Sequence, residues 1–230
     1  MSIDRGDFDE VSEQDLNELL AAQVPEGLRV EYKLESYGSS DSEKREFLKD
    51  VSALANTQGG HLILGMEGTD GVATAIVGLE NADADAELLR LEQISRGGLE
   101  PRISGLRMKA IPLNAGGYVI LLRVPRSWNP PHRVIAQRSN RFFMRHSTGV
   151  YEPDVEELRT LFTVSASALD QARRFRAERL EVIRSGNGER PLVNGGRIIL
   201  HIVPVASFSE AVAVDVEQIH QQHKAFSPIG

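Results

Sequence analysis

The chain of 230 residues contains no cysteine. That excludes disulfides and every thiolate-ligated zinc site, and it suits a reducing cytoplasm, the compartment expected here. No apolar run is long enough to span a membrane, and the opening Met1-Ser2-Ile3-Asp4-Arg5-Gly6-Asp7 lacks the apolar core of a secretory signal. No Gly-x4-Gly-Lys-Ser/Thr stretch occurs, so nucleotide hydrolysis of the P-loop kind has no support. Ser-His-Asp and metalloprotease patterns, internal repeats and low-complexity tracts are missing as well. The composition that remains, 41% hydrophobic and 26% charged, belongs to a globular chain with ample material for a core.

One absence is local. Residues 101–151 hold no acid but nine bases: Arg102, Arg107, Lys109, Arg123, Arg126, Arg133, Arg138, Arg141 and Arg145. Residues 1–100 carry 22 acids against 8 bases, and the whole chain has a net charge of −7. An acid-free block inside an acidic protein is the asymmetry expected of a polyanion-binding face. Trp128, Phe142, Phe143 and Tyr151 add surfaces on which bases stack. The competing reading is that these bases neutralise the acidic first half.

Hydrophobic periodicity places the elements. Leu16, Leu19 and Leu20 form a helical stripe over 12–22, with Ser12 as N-cap. From Glu26 the chain turns extended: Val30, Tyr32 and Leu34 alternate with Arg29, Glu31, Lys33 and Glu35, a half-buried strand with one charged face. Ser40 and Glu43 have capping-box spacing and open a helix whose apolar residues are Phe47, Leu48, Val51, Leu54 and Ala55. Asn56-Thr-Gln-Gly-Gly60 stops it. His61–Met66 predicts a central strand, Glu67–Gly71 a turn and Val72–Leu79 a returning strand. A helix over 83–96 is expected to end at Gly97-Gly98. Two hairpins follow, 103–113 with 118–124 and 134–137 with 142–146, then helices over 153–163 and 165–185 and a strand over 197–205. The mixture is α+β: a hairpin-rich sheet packed with helices, then a helical extension and one further strand. Domain boundaries fall at 1–163 and 164–230, and the abrupt Ser227-Pro-Ile-Gly230 ending is expected to precede a further domain.

Glu31 and Lys33 share a strand face about 7 Å apart. A carboxylate that holds a hard cation beside a lysine that meets the scissile phosphate suits phosphodiester cleavage. Glu26 just before the strand and Glu67 after the next one would complete a set of three carboxylates around Mg²⁺ or Mn²⁺. Arg141 and Arg145 are spaced as phosphate clamps on one strand face. His61 reads as a partly buried core histidine, and His220-x2-His223 as a solvated tail.

Taken together, Glu26-x4-Glu31-Tyr-Lys33, Phe47-Leu-x2-Val51-Ser-Ala-Leu-Ala-Asn-Thr-x-Gly-Gly60-x-Leu-Ile-Leu-Gly65-Met-Glu67, Gly71-x5-Val77-Gly78-Leu and Arg141-Phe-Phe-Met-Arg145-x5-Tyr151 resemble the Schlafen-type AlbA_2 domain. The resemblance spans roughly 12–163. It implies nucleic-acid binding, and in the ribonuclease branch of that family a metal site that cleaves tRNA and rRNA. Carried over, the metal ligands fall on Glu26, Glu31 and Glu67, with Asp70 competing for the third place, and Lys33 joins them as the catalytic cation. Arg102, Arg107, Lys109, Arg126, Arg133, Arg138, Arg141, Arg145 and Trp128 would contact the nucleic acid. The expected function is therefore a cytoplasmic, divalent-metal-dependent endonuclease acting on RNA or DNA. A non-catalytic DNA-binding or regulatory module is the alternative, and a homo-oligomeric assembly module through 153–230 is the third.

Overall fold

A computed structural model describes residues 2–4, 7–80, 83–136 and 139–186. The chain divides into two compact units, Met1–Ser165 and Ala166–Gly230, and the site described below belongs to the first. The helices and strands of the described residues are, in order, α1 (Glu13–Ala21), β1 (Val30–Lys33), α2 (Asp41–Asn56), β2 (Gly60–Leu64), β3 (Met66–Thr69), β4 (Val72–Ile76), α3 (Ala84–Gly98), β5 (Leu99–Glu100), β6 (Arg107–Pro112), β7 (Tyr118–Val124), β8 (Arg133–Val134), β9 (Arg141–Phe142), β10 (Met144–His146), β11 (Gly149–Tyr151) and α4 (Val155–Arg184). The fold is α+β, as expected. No helix among the described residues is long and apolar enough to cross a membrane.

The main sheet runs β1-β2-β7-β6. β1 pairs in parallel with β2, and β2–β7 and β7–β6 are antiparallel. β2 is buried along its whole length, as its unbroken apolar run requires. Alternation then sorts each strand onto two faces. Leu62, Leu64, Ile120, Leu122 and Val124 meet Phe47, Leu48, Val51 and Leu54 of α2 together with Leu91 of α3. Val30, Tyr32, Ile63, Val119 and Leu121 on the reverse meet Leu16 and Leu19 of α1, and Ile3 and Phe8 of the segment before it. Each large side chain buried this way contributes about 2 kcal/mol.

The turns have local causes. Ser40 caps α2: its Oγ accepts the Glu43 N–H at 3.3 Å, and the Glu43 carboxylate accepts the Ser40 N–H at 3.2 Å. The helix ends where Gly59 takes φ +69° and donates to the Leu54 carbonyl at 2.8 Å. Gly60 has φ +145°, and a Cβ there would collide with the Arg29 backbone, so only glycine lets β2 start against the residue preceding β1.

α3 ends at Gly97-Gly98 as expected, with both glycines in its last turn; a side chain at Gly98 would strike Leu48, so this glycine also serves helix packing. Three local expectations are corrected. Glu67 lies within β3 rather than in a turn, which falls at Asp70-Gly71, with a bulge between Glu67 and Gly68. Leu34 lies beyond β1 and is exposed. The two helices expected over 153–163 and 165–185 are one, α4, since nothing at Val164 interrupts the ladder. The strand expected at 197–205 and His220 and His223 lie outside the described residues.

Asn56, at the end of α2, fastens the small strands to this frame. Its Nδ2 donates to the carbonyls of His132 and Phe143, each at 3.0 Å, and its Oδ1 accepts the His132 N–H at 2.7 Å. His132 in turn bonds the Pro101 carbonyl through Nδ1 at 2.6 Å and the Ser127 hydroxyl through Nε2 at 2.7 Å. Replacing Asn56 with Ala strands these buried groups and is expected to lower the unfolding free energy by about 3 kcal/mol. Urea denaturation measures it; a loss below about 1 kcal/mol would mean that Asn56 does not fasten this region.

Candidate functional site

β1 is an edge strand, and its alternation puts Val30 and Tyr32 into the core of one face and leaves Glu31 and Lys33 on the face of α2. There they meet a residue from the helix. Lys33 Nζ lies 2.7 Å from Glu31 Oε1 and 3.8 Å from Asp50 Oδ2. The Tyr37 hydroxyl donates to the same Asp50 oxygen at 2.6 Å. From the far end of the domain, Arg145 of β10 places Nη2 2.5 Å from Glu31 Oε2. It also donates from Nε to the Gly27 carbonyl at 3.0 Å and from its backbone N–H to Thr57 Oγ1 at 2.9 Å.

Burial sets the electrostatics. The Arg145 side chain is 2% exposed, that of Asp50 4% and that of Lys33 37%, so a cationic rim lies over a buried, charged floor. Burial alone would raise the Glu31 carboxyl, but hydrogen bonds and charge from Lys33 and Arg145 outweigh it and hold the group below its ordinary value. Burial drives Asp50 upward, and the Tyr37 hydroxyl and the Lys33 charge do not offset it. Lys33 is raised: burial opposes its charge, while Glu31, Asp50 and Glu26 favour it more strongly. Arg145 Nη1 is buried with no acceptor among the described residues.

The expected carboxylate set assembles only in part. Glu26 lies on the flank, where its Oε1 accepts the free-edge N–H of Tyr32 at 2.9 Å and its own N–H meets the Gly71 carbonyl at 2.6 Å. Glu67 is exposed on β3; the residue beside Glu26 on that strand is Gly68. Asp70, its competitor, is exposed in the turn at φ +52°. Among the described residues no three His, Cys, Asp or Glu side chains stand close enough to hold a metal ion. The donor chemistry agrees. Both Glu31 oxygens already face cations and Asp50 faces a third contact with one, so a divalent ion would enter a neutralised pair rather than an acidic cluster. In this arrangement the residues do not fit Mg²⁺ or Mn²⁺.

The basic block is similarly divided. Arg141 and Arg145 do not share a strand face: Arg141 is exposed on β9 and pairs with Glu152 at 3.0 Å, whereas Arg145 is buried on β10. Arg107 pairs with Asp9 at 2.7 Å, Lys109 donates to the Asp9 and Val11 carbonyls, Arg123 donates to the Ile3 carbonyl at 2.5 Å, and Arg133 bonds Glu100 at 2.5 Å. Much of the block thus neutralises acids or caps carbonyls of the protein itself. Arg102 borders a cavity between α3 and β6, Arg126 is exposed, Trp128 is half-buried, and Arg138 lies outside the described residues. A second cavity of about 570 Å³, between α2 and β8–β9, gathers Arg45, Lys49, Asn140, Arg141 and Phe143.

Asp50, Tyr37 and Thr57 escaped the sequence reading. Asp50 carried a usable signal, since it falls three residues after Phe47 and four before Leu54, on the apolar stripe, where an acid needs a partner.

Residues 26–154 match the family model described as Schlafen, AlbA_2. No curated protein matches the chain. Among solved structures, the DIP2311 protein from Corynebacterium diphtheriae is similar at 20% identity and a TM-score of 0.44, over 64% of this chain and 27% of that one. The N-terminal domain of a RecG-related protein from Nitrosomonas europaea is similar at 25% identity and a TM-score of 0.39, over 51% of this chain and 74% of that one. Scores this low carry no argument about function.

The opposed shifts of the two acids give a pH test. Glu31, lowered when folded, stabilises the protein above its unfolded value near 4.5, and that stability is lost as pH falls through the lower folded value. Asp50, raised when folded, has the opposite sign: its stabilisation belongs to the protonated form and is lost as pH rises through the raised value. Glu31→Gln leaves Arg145 buried without its counter-charge and is expected to cost about 3 kcal/mol at neutral pH. The difference should vanish in acid, where the parent carboxyl is itself neutral. Asp50→Asn should be no less stable than the parent at neutral pH. Denaturation series across pH check both, and a pH-independent Glu31→Gln penalty would contradict the assignment.

Proposed function

This chain belongs to the Schlafen AlbA_2 family, and we propose that its domain binds nucleic acid through backbone phosphates along the outer side of α2. The observation that carries this reading is the cavity between α2 and β8–β9, lined by Arg45, Lys49 and Arg141 with Asn140 and Phe143, and by the acids Glu46 and Glu152 that pair with two of these cations. Lys49 follows α2 toward Asp50, and so toward Lys33 on the rim of the charged cluster. Cations in a row supply phosphate contacts, Asn140 supplies polar contacts, and Phe143 offers an apolar floor for a base.

The ion pairs here are of the kind a phosphate displaces. Arg141 with Glu152 is an exposed pair and Lys49 with Glu46 a half-exposed one, each contributing about 0–1 kcal/mol. Exchanging a carboxylate for a phosphate therefore costs little. Arg145 differs: its removal from Glu31 would uncover a buried charge, so it supports the floor and does not reach the ligand.

A metal-dependent endonuclease acting on RNA or DNA is the second reading. It is favoured by Lys33, whose ammonium stands at the rim beside two carboxylates where a scissile phosphate would pass. It requires Glu31 to leave both cations before any metal enters, so binding without cleavage is the better-supported function.

Two measurements follow. Lys49→Ala combined with Arg141→Ala is expected to weaken binding of tRNA and of duplex DNA about tenfold and to reduce the log–log salt slope by about 2; unchanged affinity would remove the groove from the interface. Incubated with tRNA and Mn²⁺, wild type and Glu31→Ala should both leave the RNA intact. Cleavage by wild type that disappears in Glu31→Ala would replace the binding reading with the nuclease.

A further inference from the structure

The reverse face of the main sheet carries an arrangement that the groove along α2 does not use. Cross-strand register lines up Val30 of β1, His61 of β2, Arg123 of β7 and Arg107 of β6 in one row. Alternation puts His61 and Arg123 on the same face as Ile63 and Leu121. Arg29 and Lys109 flank the row. Arg107 and Arg123 are direct partners across the ladder, and like charges placed so repel. An anion over the row relieves that repulsion.

The anion is the segment before α1. Phe8 packs against both guanidiniums, with Arg107 Cζ 4.7 Å and Arg123 Cζ 4.9 Å from its ring centre. Asp9 lies 2.7 Å and Asp7 3.7 Å from Arg107, and Asp4 lies 3.5 Å from Arg29 and 3.7 Å from His61 Nδ1. Lys109 holds the Asp9 and Val11 carbonyls, each at 2.7 Å, and Arg123 holds that of Ile3. Carboxylates set on neighbouring cations occupy the positions that successive phosphates of a nucleic acid would take. These residues precede the 26–154 family match, and Ile3 and Phe8 pack in one core with the main sheet.

We infer that Arg29, Arg107 and Lys109, at the exposed margins of this row, form a second binding surface for nucleic acid, and that Asp4, Asp7 and Asp9 occupy it as a resident mimic of its phosphates. The inference rests on the nucleic-acid reading of the domain but uses the opposite face of the sheet. Ile3 and Phe8 anchor the segment in the core, while its ion pairs to Arg29 and Arg107 are exposed. The strand therefore competes for the charged contacts, and neutralising the acids should open the surface without removing the anchors.

Fluorescence anisotropy with labelled oligo(U) and oligo(dT) tests this on the full chain. Asp4→Asn/Asp7→Asn/Asp9→Asn is compared with wild type and with Glu18→Gln/Asp70→Asn/Glu92→Gln, which removes the same charge from exposed sites elsewhere. The first variant is expected to bind at least about fivefold tighter than the second, with a salt slope steeper by about 2. Adding Arg107→Gln and Lys109→Gln should abolish that gain, and Lys49→Ala with Arg141→Ala should leave it in place. Equal tightening in both charge variants, or a gain that survives Arg107→Gln and Lys109→Gln, overturns the inference. In either case the groove stands if Lys49→Ala with Arg141→Ala still weakens binding. Absence of binding by every protein overturns both readings.

Discussion

Glu31 has one oxygen on Lys33 and the other on Arg145, and that double pairing organises the functional end of the domain. A carboxylate as covered as this one is tolerated only when its charge is met. The guanidinium that meets it comes from 114 residues further along and also donates to the Gly27 carbonyl, while the Arg145 backbone N–H donates to the Thr57 hydroxyl. One residue, through its side chain and its backbone, thus gathers the connection before β1, the strand itself and the C-cap of α2. Arg145 ties the end of the family-matched stretch to its beginning, and what remains exposed above it is a lysine.

This constraint decides what the site can do. Two acids on the floor, Glu31 and Asp50, face two cations, so the cluster is close to neutral and its exposed component is positive. A positive rim continuing along α2 to Lys49, Arg45 and Arg141 suits a ligand carrying phosphates better than it suits a bare divalent cation. The two faces of the sheet then divide the work. One carries this rim and groove. The other carries a row of cations already covered by an acidic, aromatic segment, which accounts for much of the basic block without leaving it in solvent.

Much of this was legible in the sequence, for reasons that can be named. The period-two alternation from Arg29 to Glu35 placed Glu31 and Lys33 on one face, and Ser40 with Glu43 located the start of α2, because both signals are local. Contacts between distant segments were not. Asp50 joins the cluster only because α2 crosses β1, and Arg145 joins it only because β10 returns beside Thr57. Glu67 failed to arrive for an equally non-local reason: β3 continues past it through a bulge, and Gly68 rather than Glu67 faces Glu26. Arg141 and Arg145 looked like a pair by spacing, but Phe143 separates two strands, so one faces solvent and the other the core. Charge balance had the same limit. The acid-free block was visible, while the fact that Asp7 and Asp9 had come to cover part of it was not.

The account turns on whether Glu31 is neutralised by its two protein cations. Following the Glu31 side-chain carboxyl by carbon NMR through a pH titration, with and without Mg²⁺, addresses this directly. The account predicts a midpoint below the ordinary value of 4.5 that magnesium does not move. A midpoint at or above that value, or one that magnesium displaces, would mean that the carboxylate is free to take a metal and that the nuclease reading is the right one.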